Sequence, residues 1–302
     1  MEPTNRARPA RSRPPARDLR RGGAGFTLPI MTEPVLLTDD PRPHVRRLTL
    51  NRPDKRNALS NDLRRALFEA LEAAAREEAV RVIVIRGAGP CFSAGYDLST
   101  DAARQRPPYH TASGVGQWAR HVADGVFRMW DLATPVIAQV HGWCLAGGTE
   151  LATGCDLVYV AEDARIGYPP VRGMSPPDTQ FHPWLLGLRA AMEQMLTGDA
   201  MDGLEAVRTG FANRAFPAER LEAEVLAVAE RVAKVAPDVQ QINKRSVHRA
   251  MEIMGLRAGI RAGTELQALA TTTEGSKATF GRFRNGVRQA LDARDGAFGD
   301  YR

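Results

Sequence analysis

A chain of 302 residues that is 43% hydrophobic and 25% charged has the composition of one large globular domain, alone or with an appendage. No apolar run is long enough to span a membrane, which excludes a helical membrane protein. Three cysteines (Cys91, Cys144, Cys155), odd in number and without metal-ligand spacing, argue against a disulfide scaffold and for a reduced, cytoplasmic setting.

The net charge of +6 is concentrated at the N-terminus. Residues 1–30 carry seven arginines against Glu2 and Asp18, a net of +5, which leaves +1 for residues 31–302. This Arg- and Pro-rich leader lacks the apolar stretch of a secretory signal. It reads as a disordered extension ahead of a native-like start at Met31, with a nucleic-acid arm or a transit peptide as alternatives. The nearly neutral body gives no reason to expect a nucleic-acid partner.

From His44 to Leu50 the pattern alternates as in a strand, and Asn51–Ser60 is a polar loop with Lys55 and Arg56 at its tip. Ser60 is placed to cap a helix over residues 61–78, whose Leu63, Ala66, Leu67, Ala70 and Leu71 follow helical spacing. Val80–Ile85 is a second strand, closed by Gly87-Ala-Gly89-Pro90. A short stretch, Cys91 to Leu98, turns at Gly95, and residues 99–114 are predicted to be a mobile loop. Helix is predicted from Val115 to Leu132, strand from Pro135 to Val140, and helix again over Leu185–Leu196 and Gly203–Gly210. From Ala218 helical patterning dominates. The chain is therefore an α/β body followed by an α-helical region, divided as a leader 1–30, a core 31–216 and a C-terminal region 217–302.

Common catalytic signatures fail. Gly87-Ala-Gly89 follows a strand, but Phe92 stands where a dinucleotide loop needs its third glycine. Cys91 replaces the first glycine of a nucleophile elbow around Ser93. The six histidines show no ligand spacing, so no metal is expected.

Chemistry is instead expected between Gly142 and Asp178. The turn Leu145-Ala-Gly-Gly-Thr149 follows a buried strand and opens a helix, and glycines there let a ligand approach unpaired helix N–H groups. Such a mouth suits a developing oxyanion. Glu150 lies in the first helical turn, where it either shares that mouth or caps the helix.

Four ordered segments resemble the crotonase superfamily of enoyl-CoA hydratases and isomerases. They are Leu50-Asn-Arg-Pro with Asn57-Ala-Leu59; Phe92-Ser-Ala-Gly-Tyr-Asp-Leu98; Ala146-Gly-Gly-Thr-Glu-Leu-Ala152 with Cys155-Asp-Leu; and Ile166-Gly-Tyr-Pro169. The resemblance spans about residues 33–302 and implies a spiral of ββα turns with a C-terminal helical region that assembles trimers or hexamers. It implies an acyl-CoA thioester substrate, with coenzyme A as part of that substrate and no other cofactor. The enolate oxyanion would be held by the backbone N–H groups of Tyr96 and Gly147, and Glu150 would be catalytic. Coenzyme A would lie near Lys55, Arg56, Ala58 and Ala94, with Arg294 a further candidate near the C-terminus. For Lys55 a solvated surface charge is the alternative.

One departure matters for the reaction. Hydratases of this family follow the Gly-x-Pro turn with glutamate, whereas here Gly167-Tyr-Pro169 is followed by Pro170. Asp178, eight residues past Pro170, matches a position where some members carry a catalytic aspartate, and the alternative is that it caps the next helix. Hydration or dehydration through Glu150 and Asp178 is the leading expectation. Isomerisation, C–C or thioester cleavage, or a non-catalytic acyl-CoA binder are the others. Trp118, Trp130 and Trp184 are candidates either for an acyl tunnel or for the core.

Overall fold

A computed structural model of the chain describes residues 33–99 and 104–301. The leader and part of the 99–114 loop lie outside the described residues. The body that begins at Pro34 is built on a six-stranded sheet in the order β1-β2-β3-β4-β6-β8. β1 (Leu36–Arg42) pairs antiparallel with β2 (Val45–Leu50), and the chain turns between them at His44, φ 65°. β3 (Val82–Gly87), β4 (Val136–Val140), β6 (Leu157–Ala161) and β8 (Arg214–Phe216) continue the sheet in parallel. Parallel strands covered on both faces read as unbroken apolar runs, as Val82-Ile-Val-Ile85 does.

Between β2 and β3 runs α1 (Asn61–Arg76), started by Ser60, whose Oγ accepts the Leu63 N–H at 3.3 Å. Leu63, Leu67, Leu71 and Ala74 fall on one helical face and are all buried. Each buried leucine contributes about 2 kcal/mol. α2 (Gln117–Trp130) precedes β4. A second, two-stranded parallel ladder pairs β5 (Trp143–Leu145) with β7 (Arg165–Gly167). α3 (Gly147–Thr153) leaves β5 directly and every residue in it is buried.

After β7 a 3₁₀ turn at Pro169–Arg172 leads into α4 (His182–Thr197), and α5 (Gly203–Thr209) precedes β8. α4 begins three residues earlier than the apolar pattern suggests. It is kinked at Gly187, where φ is 72°.

Every element named after β8 is helical. α6 (Leu221–Ala233) covers a face of the main sheet with Leu221, Val225, Leu226 and Ala229. α7 (Pro237–Ile253) and α8 (Leu256–Ala270) follow, and α8 packs on α2. α9 (Glu274–Arg282) and α10 (Val287–Asp295) end the fold. α10 lies on the Pro169–Arg172 turn, where the nearly inaccessible Arg172 guanidinium pairs with Asp199, Asp295 and Asp300. Among the described residues no helix is long and apolar enough to cross a membrane.

Candidate active site

Two chain segments meet at the expected centre. Residues 91–97 run alongside β5: the Ser93 N–H donates to Trp143 O at 3.1 Å, and the Leu145 N–H donates to Ser93 O at 2.9 Å. Gly95 makes the turn with φ 101°. A β-carbon there would lie 3.0 Å from Leu145 O and 3.2 Å from Gly147 N, so only glycine lets the segments come this close. Ala146 adopts φ 49°, ψ −120°, and its carbonyl takes the Thr149 and Glu150 N–H groups. The N–H groups of Tyr96 and Gly147 donate to no backbone acceptor among the described residues. They remain available at the mouth of α3.

Glu150 projects from α3 and is fully buried. Its Oε2 accepts the Tyr96 hydroxyl at 2.9 Å, while Oε1 accepts the Thr179 N–H at 3.1 Å and the Tyr168 hydroxyl at 3.3 Å. None of these partners belongs to α3, so the capping alternative for Glu150 fails. Burial raises its pKa to about 7, against the pull of those donors, which favour the charged form. A carboxyl poised near neutrality can take or give a proton at working pH.

Asp178 is also buried, and it is not a helix cap. α4 is entered through Phe181, and the Asp178 Oδ2 instead accepts the Trp118 indole N–H at 3.0 Å. Its Oδ1 is buried without a partner among the described residues. Burial and then the Glu150 charge push its pKa well above the usual carboxylate range. The two carboxyls thus share one low-dielectric chamber, with the Asp178–Thr179 backbone turned toward Glu150. Proline at position 170 anchors the following turn: its carbonyl takes the N–H groups of Gly173, Met174 and Ser175.

The other candidates fall in two places. Ala94 donates its N–H to Arg56 O at 2.9 Å, which joins the Lys55–Ala58 loop to the Gly95 segment. Buried Asn57 secures that loop by donating to Ala88 O and Cys91 O, both at 2.8 Å, and by accepting the Arg52 N–H at 2.9 Å. Arg56 also lines a surface cavity of about 360 Å³ with Trp143, Asp163 and Arg165. Arg294 lies elsewhere, bidentate to Asp295 and 3.6 Å from Met174 Sδ. Trp130 stacks on His248 at 3.7 Å, and Trp130 and Trp184 both pack, half-buried, against the apolar cluster that holds Phe181 and Leu256; Trp118 alone of the three bonds to Asp178.

The family model for enoyl-CoA hydratase/isomerase matches residues 42–295. The chain belongs to the enoyl-CoA hydratase/isomerase family. A putative enoyl-CoA hydratase of Mycobacterium tuberculosis, EchA13, is 35% identical over 70% of this chain and 73% of its own length. A probable enoyl-CoA hydratase of Rhizobium meliloti is 34% identical over 76% of this chain and 87% of its own. The crystal structure of an enoyl-CoA hydratase/isomerase from Xanthobacter autotrophicus Py2 superposes with a TM-score of 0.78 at 32% identity, covering 87% of this chain and 98% of that one.

As a member of this family the chain has the crotonase fold, with a C-terminal helical region, and is an acyl-CoA enzyme. Sequence reasoning missed the side chains that hold its carboxyls: Tyr96 and Tyr168 on Glu150, and Trp118 on Asp178. The two tyrosines were visible inside motifs, but only as backbone or turn residues. Arg64, on the buried face of α1, was missed for a different reason. An arginine at a helical core position has no sequence signal beyond its spacing.

Proposed function

We propose that this enzyme hydrates the α,β double bond of an enoyl-CoA, and catalyses the reverse dehydration, through a thioester enolate. The observation that carries this reading is the pairing of two buried carboxyls, Glu150 and Asp178, beside the unused N–H groups of Tyr96 and Gly147. Water adds its oxygen to the β-carbon while Glu150 Oε2 takes the proton it loses. The electron pair of the double bond moves into the thioester, and the negative oxygen is received by the Tyr96 and Gly147 N–H groups. Each preorganised donor is worth roughly 3 kcal/mol in the transition state. Asp178, held toward its protonated form, then delivers a proton to the α-carbon.

Coenzyme A is assigned to the Lys55, Arg56, Ala58 and Ala94 side of the site, where Arg56 and Arg165 offer phosphate partners. Arg294 stays a candidate contact from the C-terminal region, although its guanidinium is held by Asp295. No cofactor beyond the coenzyme A of the substrate is required. We also propose a homotrimer or homohexamer, because α4 and α7 expose Leu188, Leu196, Ile242 and Val247; the assignment to the cytoplasm rests on the three free cysteines and that to fatty-acid metabolism on the family resemblance.

The test is turnover of a short enoyl-CoA followed by mass of the product. A gain of one water supports hydration. An unchanged mass with a moved double bond supports isomerisation, the reading that Pro170 favours because it removes the usual second glutamate. Fragmentation supports cleavage, and no turnover of any enoyl-CoA supports a binder.

A further inference from the structure

Arg64 is the feature of the chamber that this chemistry leaves unused. It stands on the inner face of α1 and is 5% exposed. Among the described residues its guanidinium donates only to neutral oxygens, Asn61 Oδ1 and Tyr109 Oη, each at 3.3 Å. Its remaining contacts are aromatic: it lies 5.5 Å from the centre of the Tyr96 ring and 5.4 Å from that of Trp118. Among the described residues no carboxylate oxygen lies within ion-pair distance of it, whereas the buried guanidinium of Arg172 pairs with three aspartates. A buried cation without a counter-charge is costly, and hydrogen bonds to neutral groups and ring faces offset only part of that cost.

The nearest acids do not supply the missing charge. Trp118 touches both Arg64 and Asp178, burial holds Asp178 toward its neutral form even though the Arg64 charge acts on it, and Asp124 is taken by Arg261. Beside Arg64 lies a second incomplete group. His121 stacks on Tyr109 at 4.2 Å, and its buried Nε2 has no partner among the described residues. An unpaired cation and an open imidazole nitrogen therefore sit together on the same wall as Tyr96 and Trp118.

We infer that Arg64 forms an anion subsite for the acyl group, so that the substrate of this enzyme is a short acyl-CoA whose far end carries a carboxylate. The inference rests on the acyl-CoA reading above and narrows it to a substrate class. The planar guanidinium presents a fork that matches a carboxylate, and the low-dielectric wall strengthens the attraction. The methyl end of a simple fatty acyl chain would leave that charge buried and unpaired.

Equilibrium binding to the full-length chain tests this without requiring turnover. The probes are the saturated thioesters succinyl-, glutaryl- and adipyl-CoA, set against methyl-terminated acyl-CoAs of matching length. The expected result is that the best carboxylate probe binds roughly tenfold or more tightly than its methyl partner. Arg64→Met should abolish the preference, and Arg64→Lys, which keeps the charge, should retain part of it. Equal or tighter binding of the methyl-terminated probes by the unaltered chain overturns the subsite while leaving the acyl-CoA reading intact. Failure of every acyl-CoA to bind overturns both. Should Arg64→Met not fold, the comparison of the two probe series on the unaltered chain still decides.

Discussion

Tyr96 reaches Glu150 through the less occupied of its two carboxylate oxygens. Oε1 is held by both the Thr179 N–H and the Tyr168 hydroxyl, whereas Oε2 receives the Tyr96 hydroxyl at 2.9 Å. Oε2 therefore keeps a free lone pair, and it is the oxygen assigned to the reacting proton. Tyr96 would serve the site twice, with its N–H on the thioester and its phenol on the acid/base.

Removing that phenol should move the acid limb of the rate profile. The hydroxyl favours the charged form of Glu150, whose pKa stands at about 7. In Tyr96→Phe the carboxyl loses a donor, its pKa rises further, and the rise of kcat/KM with pH should shift upward by about one pH unit. Tyr168→Phe should shift it less, because its contact is longer and the Thr179 N–H remains. Rate profiles of the two variants against the unaltered enzyme check this. An unmoved limb in Tyr96→Phe would take the phenol out of the mechanism.

Glu150→Gln should abolish most turnover and yet stabilise the fold at high pH. Loss of general acid/base help is typically worth about 10²–10⁴-fold. The stability effect follows from the raised pKa: the folded chain binds the proton more tightly than the unfolded chain does. Stability is therefore unaffected below the ordinary value of 4.5, falls as pH rises from there to about 7, and is flat above. Glutamine has no proton to hold, so the difference in melting temperature between variant and parent should grow in the variant's favour between those limits. A constant difference across that range would contradict the shift.

Asp178→Asn should lower kcat by about 10²–10⁴-fold with little change in melting temperature. Asparagine can still accept the Trp118 indole N–H, so the chamber keeps its shape while losing a proton donor. Paired with Glu150→Gln, the combined loss should be less than the product of the two if both serve one proton transfer. A near-normal kcat in Asp178→Asn would leave Glu150 alone, and isomerisation or cleavage would then become the better reading.

Gly95→Ala probes the approach of the two segments. The new methyl would fall 2.9 Å from Ala146 Cβ and 3.0 Å from Leu145 O, at a φ of 101° that suits only glycine. About 1–3 kcal/mol of destabilisation is expected from the backbone alone. Because the clash pushes the Tyr96 and Gly147 N–H groups apart, kcat should fall well beyond what the lost stability explains. Chemical denaturation and kinetics on one preparation separate the two effects.

The order of strands and helices was legible along the chain because burial imposes a period on it. Leu63, Leu67 and Leu71 mark a helical face, and Val82–Ile85 marks a strand covered on both sides. The glycines at 95, 147 and 148 announced a close backbone approach for the same local reason. Glu150 also stood out, as an acid in the first turn of a small-residue helix.

What the sequence by itself determined was therefore the fold class and the family motifs, which depend on residues near one another in the chain. The tertiary structure decided the environment of the acids. Asp178 looked equally like a cap and a catalyst, and only the packing of α2 against the Met174–Phe181 segment brings Trp118 onto it and removes the capping role. Likewise the partners of Glu150 come from positions 96, 168 and 179, and the unpaired charge of Arg64 becomes visible only once its neighbours are known. Proton affinity and charge balance depend on burial and on contacts between distant segments, and local patterning carries neither.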